Sequence, residues 1–218
     1  PSFAGDGDCD DGSIFIDDLF CPYFGWDGGD CGLVDTGSLT DTNGSFLSDS
    51  GLIDTSATAT TTPLIISEVC DHETVPNARY IEIYNPNSVP IDLSTWSIQR
   101  YANGQITPAS VSLTGTVAPM DVVVIASSQS AFDGAFGPGI ADIYNGYISG
   151  NGDDTYILTQ SGALIDIYGA FGVNGMGSAW EYVDSVAVRL PGMTATTDWD
   201  AAEWTISPGT ATASPGTH

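Results

Sequence analysis

The stretch that decides the fold is YIEIYNPNSVPIDLSTWSIQRY, residues 80–101. Ile81 and Ile83 alternate there with tyrosine and glutamate, which is the two-residue period of a strand with one buried face. The Asn-Pro-Asn sequence that follows at 85–87 is typical of a turn that ends a strand. We expect Ile91, Leu93 and Trp96 to continue the same core.

Short runs rich in β-branched and aromatic residues continue outward from this stretch, with turn residues between them. The runs are PLIISEV (63–69), RYIEIYN (79–85), WSIQRY (96–101), VSLTGTV (111–117), DVVVIAS (121–127), IYNGYIS (143–149), DTYILTQ (154–160), LIDIYGAFG (164–172) and SVAVRL (185–190). They recur about every ten residues without a helical period, so we predict an all-β fold, an antiparallel β-sandwich.

Residues 63–209 resemble the lamin tail domain, an immunoglobulin-like β-sandwich. The resemblance is carried by LIISEV (64–69), by residues 80–101, by NGDDTYILTQSGALIDIYG (151–169) and by a closing DWDAAEWTISPG (198–209). In secreted microbial proteins this domain is an accessory part of nucleases, phosphoesterases, depolymerases or surface proteins. The resemblance therefore implies binding, scaffolding or assembly, without catalysis by the domain itself.

The charge balance is strongly acidic. The chain has no lysine and three arginines (Arg79, Arg100 and Arg189) against 28 acidic residues, which gives a net charge of −25. Such a chain repels phosphate backbones and anionic membrane surfaces, so we predict no nucleic-acid partner. No apolar run approaches the roughly 18 to 20 residues that span a bilayer, so we predict no membrane insertion.

Aspartates are concentrated in the first thirty residues, where eight of them lie between positions 6 and 30. Carboxylates that cluster in a glycine-rich loop repel one another unless a cation neutralises them. Ca²⁺ is the natural candidate because it accepts six to eight oxygen ligands in a flexible geometry, whereas Mg²⁺ demands a near-ideal octahedron. The sequence therefore predicts a calcium-binding module over residues 1–33.

This module resembles the Notch-type cysteine-rich repeat, whose calcium loop ends in WDGGDC, as residues 26–31 do here. The upstream DGDCDDG, residues 6–12, is similar to variants of the repeat in secreted microbial proteins. The resemblance implies Asp27 and Asp30 as ligands, joined by acidic residues from across the loop. The full set of candidate calcium ligands is Asp6, Asp8, Asp10, Asp11, Asp27 and Asp30.

Four cysteines, three of them in aspartate-rich loops, indicate disulfides and hence an extracellular or cell-surface location. Trp26 stands where the resembling repeats often carry a cysteine, which leaves the pairing open and makes a bond from Cys21 to the next domain one alternative. The cysteines are Cys9, Cys21, Cys31 and Cys70. We divide the chain into the calcium module (1–33), an extended, partly docked Ser/Thr-rich linker or arm (34–62) and the β-sandwich with a short tail (63–218).

The sequence gives little support for an enzyme. A nucleophile activated by histidine depends on His72, because the only other histidine is His218. The CDHE sequence at 70–73 lacks the spacing of a zinc site, and a strand end entering a loop explains it better. A pair of glycosidase carboxylates is not excluded by sequence, with the candidates Glu68, Glu82, Glu181 and Glu203.

We therefore expect an extracellular, calcium-binding structural protein that works in adhesion or self-assembles into a surface layer or filament through calcium or sheet-edge contacts. The alternative is a substrate-binding accessory module of a secreted hydrolase or nuclease, which binds a surface polymer or glycan. That alternative needs exposed aromatic side chains, with Trp180, Trp199 and Trp204 as candidates. The NGDDT sequence at 151–155 is a hairpin connection or a second cation site through Asp153 and Asp154.

Overall fold

The computed structural model describes residues 61–218, which belong to a compact unit that begins at Ala59. The strands are β1 (Ile65–Cys70), β2 (Tyr80–Tyr84), β3 (Ile91–Asp92), β4 (Trp96–Tyr101), β5 (Ala109–Ser112), β6 (Thr116–Val117), β7 (Val122–Ala126), β8 (Ile143–Tyr144), β9 (Thr155–Gln160), β10 (Ala163–Tyr168), β11 (Ser185–Arg189) and β12 (Trp204–Pro208). The helix α1 spans Gln129–Phe136, and 3₁₀ turns span Pro76–Ala78, Ala102–Gly104 and Ala201–Glu203.

The strands form two main sheets. The six-stranded sheet has the order β12-β11-β1-β2-β7-β8, and the four-stranded sheet has the order β10-β9-β4-β5. The short strands β3 and β6 pair with each other. Every pairing is antiparallel except that of β7 with β8, which is parallel. The predicted antiparallel β-sandwich is therefore confirmed for the described residues.

The main core lies between the two sheets. Ile66, Ile81 and Ile125 enter it from the six-stranded sheet, while Ile98 and Leu158 enter it from the four-stranded sheet. Leu93 and Trp96 are buried in it and Ile91 packs against it, as predicted. Burial of apolar area of this kind supplies most of the favourable free energy of folding.

The outer face of the six-stranded sheet is covered as well. Phe132 of α1 is buried on it and meets the Tyr80 ring edge-on at 5.5 Å between ring centroids. This second apolar layer consists of Cys70, Tyr80, Val124, Ala126, Phe132 and Val186, with Ala213 from the end of the chain packed against it. The prediction of one buried face for 80–84 is therefore wrong, because both faces of β2 are buried.

Most of the predicted runs correspond to strands, with three differences. The run 111–117 begins inside β5 and ends with β6, and these two strands belong to different sheets and are separated by Gly115 at φ +88°. The run 143–149 contributes only the two residues of β8. The sequence pattern also gave no indication of the helix α1, which forms over eight residues and ends before Gly137 at φ +108°.

The junctions that the sequence predicts at the strand ends are also present. β1 ends at Cys70 and the chain enters a loop, as expected for the CDHE segment. Asn85 closes the turn after β2, where its side-chain amide donates to the carbonyl oxygens of Val89 and Ala118 at 2.9 and 2.8 Å. The Asn87 side chain exchanges two hydrogen bonds with the backbone of Thr62, the last residue of the predicted arm.

The calcium module, its ligands and most of the 34–62 arm lie outside the described residues, and so do Cys9, Cys21 and Cys31. Cys70 is described, and it is a free thiol that is 1% exposed. The alternative of a bond from Cys21 to Cys70 involves a cysteine outside the described residues, so the pairing stays a prediction from sequence. Within residues 61–218, no helix has the length and apolar character needed to cross a membrane.

Candidate functional site

Each of the three arginines forms an ion pair with an aspartate. Arg79 Nε lies 2.6 Å from Asp71 Oδ1, and Arg100 Nη1 lies 2.8 Å from Asp154 Oδ2. The third, Arg189, is the most deeply buried. Since the chain has no lysine, every side chain with a permanent positive charge is engaged in an internal pair. The fold thus leaves none of the three arginines without an acidic partner.

Arg189 joins the two sheets. Its Nη1 lies 2.5 Å from Asp166 Oδ2 of β10, and its Nη2 lies 2.6 Å from Glu203 Oε2. The second oxygen of Asp166 accepts from the backbone N–H of Thr196 at 2.9 Å, and the Ile66 N–H donates to Oδ2 at 2.7 Å. A buried charge with this many hydrogen bonds is a structural element, because the desolvation cost of ionised groups is offset only when they are fully paired.

Asp153 and Asp154, which the sequence offered as a second cation site, are both buried. Arg100 occupies one oxygen of Asp154, and the Asn103 N–H donates to the other at 2.9 Å. The carboxylate of Asp154 is therefore satisfied without a metal ion. Within residues 61–218 no group of three or more His, Cys, Asp or Glu side chains is arranged to hold a metal.

Two of the four candidate glycosidase carboxylates meet. Glu68 of β1 and Glu82 of β2 are cross-strand partners on the outer face of the six-stranded sheet. They are 1% and 0% exposed, so no substrate reaches them in this structure. Glu203 is bound to Arg189, and Glu181 accepts from the N–H of Gly177 at 3.0 Å. The four carboxylates therefore do not line a common cleft.

The partners of the Glu68–Glu82 pair are neutral donors. Glu68 accepts from the Tyr80 hydroxyl and from the N–H and hydroxyl of Ser214, the latter two at 3.1 Å. Glu82 accepts from the Ser67 hydroxyl at 2.7 Å and from the Gly216 N–H at 2.7 Å. Burial raises the pKa of Glu82 to about 7 and raises the pKa of Glu68 above its ordinary value.

His72 has a local structural role. Its Nδ1 accepts from the backbone N–H groups of Thr74 and Val75 at 3.3 and 3.4 Å, and its ring packs on Phe136. Its neighbour Asp71 is paired with Arg79, and Cys70 is buried. Burial also raises the pKa of the Cys70 thiol, which disfavours the reactive thiolate.

The three candidate tryptophans do not form an exposed platform. Trp180 and Trp204 are 4% and 8% exposed, and Trp199 is partly buried against the main core. The Trp204 ring lies 5.1 Å from the Arg189 guanidinium carbon. These side chains therefore close the sandwich, which is the usual role of tryptophan in a fold of this size.

Two neighbouring surface features are free of charge. β5 is the last strand of its sheet, and its outward side chains Ser110 and Ser112 are exposed. Close by in the chain, Ile106 is 73% exposed. It packs towards Gly172, whose flanking residues Phe171 and Val173 are 54% and 47% exposed. We call Ile106, Phe171 and Val173 the apolar patch.

Sequence reasoning missed the ion pairs and the buried pair of glutamates. The only signal for the ion pairs in the sequence was that three arginines and no lysine stand against 28 acidic residues, so that each arginine has many carboxylates available as partners. Nothing in the sequence pattern indicated that the end of the chain covers Glu68 and Glu82, because that segment has no apolar period.

The comparison with protein families agrees with the fold. The lamin tail domain model matches residues 57–172, more than half of the chain. No match was found among curated proteins. Strands β11 and β12 lie beyond the matched residues yet complete the six-stranded sheet, since β11 pairs directly with β1. On the sequence match and the immunoglobulin-like arrangement of its sheets, the chain belongs to the lamin tail domain family.

Proposed function

We propose that this protein is a non-enzymatic structural module that self-associates, and that the uncharged edge of β5 with the adjoining apolar patch is the surface through which two copies meet. The observation that carries the proposal is the exposed, uncharged edge strand on a chain of net charge −25. An unprotected strand edge presents unpaired backbone groups to a partner strand.

The charges of the chain favour an uncharged contact surface over an acidic one. Two copies at −25 repel each other, and all three arginines are already engaged with internal carboxylates. A contact between copies therefore gains nothing from salt bridges to these arginines. It is favoured where carboxylates are absent, as at β5, and where apolar area is exposed, as at the apolar patch.

We also propose that Ca²⁺ binds to the N-terminal module, residues 1–33. The cation would bind among Asp6, Asp8, Asp10, Asp11, Asp27 and Asp30, as the resemblance to the Notch-type repeat implies, and would lower the repulsion between copies. The extended 34–62 arm would add a strand to a neighbouring sheet edge. An extracellular or cell-surface setting, as in secreted microbial proteins, would supply the calcium.

Sedimentation velocity of the whole chain over a concentration series, with calcium and with a chelator, tests the proposal. We expect oligomers in calcium. The double variant Ser110→Glu/Ser112→Glu places like charges on the proposed edge, so its association should weaken at least about tenfold, which is 1.4 kcal/mol. Ser88→Glu adds a charge at an exposed position in the loop between β2 and β3, neither of which pairs with β5, and should associate as the wild type does.

Two results would contradict the proposal. A chain that stays monomeric at millimolar calcium and high protein concentration does not self-associate. A double variant that assembles as the wild type does would place the contact elsewhere. If calcium raises the melting temperature without any oligomers, the cation is structural, and a role as an accessory binding module becomes the better proposal.

The accessory-module alternative has lost its strongest support. It relied on tryptophans that stack on a sugar or polymer, and Trp180 and Trp204 are buried. Within residues 61–218 the strongly exposed aromatic side chains are Tyr147 and Phe171. Phe171 belongs to the apolar patch, where its ring packs edge-on against Tyr101. We therefore favour assembly over glycan binding for this surface.

A further inference from the structure

Residues 213–217 cross the outer face of the six-stranded sheet and cover the Glu68–Glu82 pair; we call them the strap. Within residues 61–218, the strap belongs to none of the sheets. Its internal hydrogen bonds form turns, from the Ala213 N–H to Thr210 and from the Thr217 N–H to Ser214. The strap is therefore held to the rest of the protein mainly by its contacts with the outer face of the six-stranded sheet.

Beneath the strap lie two carboxylates. The N–H and hydroxyl of Ser214 donate to the two oxygens of Glu68, and the Gly216 N–H donates to Glu82. The apolar contribution is small by comparison, because Ala213 is the strap residue that packs against the second apolar layer. Pro215 and Gly216 also border an open depression of about 300 Å³, so this part of the strap is loosely packed.

Closing the strap removes water from both glutamates, and no cation replaces the water. The hydrogen-bond partners of the pair are hydroxyl and backbone N–H groups. The other titratable and charged groups on the elements around the pair are Cys70 on β1, Tyr80 and Tyr84 on β2, Asp121 before β7, Asp133 on α1, Asp142 and Tyr144 at β8, Arg189 on β11 and His218 after the strap. Arg189 is engaged with Asp166 and Glu203 and is not a hydrogen-bond partner of the pair. Two ionised carboxylates on adjacent strands in such surroundings repel each other and are poorly solvated.

We propose that the strap is a pH-responsive latch, which is closed while the Glu68–Glu82 pair holds a proton and is released when both carboxylates are ionised. The proton that the pair holds has a defined position on Glu82. When Glu82 is protonated at Oε1, it donates to the Ser67 hydroxyl, which can accept as readily as it donates, while Oε2 continues to accept from Gly216. When both groups ionise, opening the strap restores water to them.

The pH range over which the strap opens follows from the pKa of Glu82 in the closed and open states. The pKa of Glu82 is about 7 with the strap closed, and an exposed glutamate has an ordinary value of 4.5. Ionisation favours the state, open or closed, in which Glu82 has the lower pKa. The equilibrium constant for opening the strap should therefore rise on the order of 100-fold between pH 5 and pH 8.5. The strap is therefore closed in mildly acidic solution and opens as the pH rises through neutrality.

Amide hydrogen exchange of the whole chain, measured by NMR from pH 5 to pH 8.5 and corrected for the intrinsic pH dependence of exchange, tests the latch. The protection of the Ser214 and Gly216 amides should fall on the order of 100-fold over this range. The Ile125 amide, in the ladder between β2 and β7, should stay more strongly protected than the strap amides at every pH, because it exchanges only when the sheet itself opens. Strap amides whose protection does not change with pH would overturn the proposal.

A variant separates the latch from general loosening of an acidic protein. Glu82→Gln keeps the shape of the protonated acid, since its amide can donate to Ser67 and its oxygen can accept from Gly216. We expect its strap amides to stay protected up to pH 8.5. Glu181→Gln removes a charge from a different loop and should leave the wild-type response intact. Equal pH responses in the wild type and in Glu82→Gln would contradict the proposal.

Should Glu82→Gln fail to fold, the wild type still decides the question. The side-chain carboxyl ¹³C shift of Glu82 follows its ionisation directly. The midpoint of that titration should coincide with the midpoint of the loss of strap protection. A Glu82 carboxyl that titrates near its ordinary value, or a strap that opens at an unrelated pH, would show that the two events are not linked.

Discussion

Arg189 and Asp166 form an ion pair whose side chains are both 0% exposed, with Nη1 and Oδ2 2.5 Å apart. Asp166 belongs to β10 of the four-stranded sheet and Arg189 to β11 of the six-stranded sheet. The ion pair therefore connects the two sheets of the sandwich, which otherwise meet through the apolar side chains of the main core. Because the buried aspartate also accepts two backbone N–H groups, its orientation is fixed from several sides.

Removing the guanidinium should destabilise the fold strongly. In Arg189→Met the Asp166 carboxylate stays buried without its cation, and we expect the free energy of unfolding to fall by about 3 to 5 kcal/mol. Glu203→Gln removes the more exposed carboxylate partner, which is 19% exposed, and should cost about 1 kcal/mol. Urea unfolding followed by tryptophan fluorescence measures both. Similar losses of unfolding free energy in the two variants would show that the buried Arg189–Asp166 pair contributes no more to stability than the more exposed Arg189–Glu203 pair.

A close backbone approach at Gly152 gives a second prediction. A Cβ atom there would lie 2.3 Å from Val183 Cα, and the residue has φ +99°. Gly152→Ala should therefore cost about 4 kcal/mol or more, measured as a loss of unfolding free energy. Gly162 has a similar φ of +83° but open space around it, so Gly162→Ala should show only the conformational cost of about 1 kcal/mol. If both variants lose the same amount, the backbone contact with Val183 is unimportant.

The alternation of side chains was sufficient to predict most strands, and the reason is physical. Ile81, Ile83 and Ile98 must face the core between the sheets, and a period of two fixes which residues do so. The helix α1 was missed because it buries only Phe132 fully and contains Gly134, so its apolar face is too short to produce a helical pattern. Tertiary packing on Tyr80 supports it instead.

The polar features could not be predicted, because they depend on residues that are distant in the sequence. Arg100 and Asp154 are 54 positions apart, and Gly216 and Glu82 are 134 positions apart. Local patterns carry no information about such pairs. The candidate calcium ligands lie outside the described residues, so they remain a prediction from sequence.

Asn85 provides a test of the turn that the sequence did predict. Its buried side-chain amide donates to two carbonyl oxygens, and its oxygen accepts from the Asn87 N–H at 3.0 Å. Asn85→Ala should lower the free energy of unfolding by about 2 to 3 kcal/mol, because it leaves these buried groups unpaired. Asn85→Asp should cost more, since it turns an acceptor towards two carbonyls. The same changes at the exposed Asn151 should stay within about 0.5 kcal/mol. Equal losses at the two positions would contradict the role given to Asn85.

The pH dependence of stability should carry the signature of Glu82. Its pKa is about 7 in the folded protein and 4.5 as an ordinary glutamate, so the folded state binds the proton more tightly than the unfolded state does. The stabilisation from this proton is complete below pH 4.5 and is lost as the pH rises through 7. Between pH 5 and pH 8 we expect a loss of about 2 to 3 kcal/mol from this group.

Urea unfolding at a series of pH values measures this contribution. The repulsion among the acidic residues also grows with pH, but it acts almost equally on the wild type and on Glu82→Gln and largely cancels in their difference. The difference in unfolding free energy between the two proteins should therefore move in favour of Glu82→Gln as the pH rises from 5 to 8, while Glu181→Gln should follow the wild type. A difference that stays constant with pH would mean that Glu82 is ionised in the folded protein throughout, and that the segment over it does not keep water out.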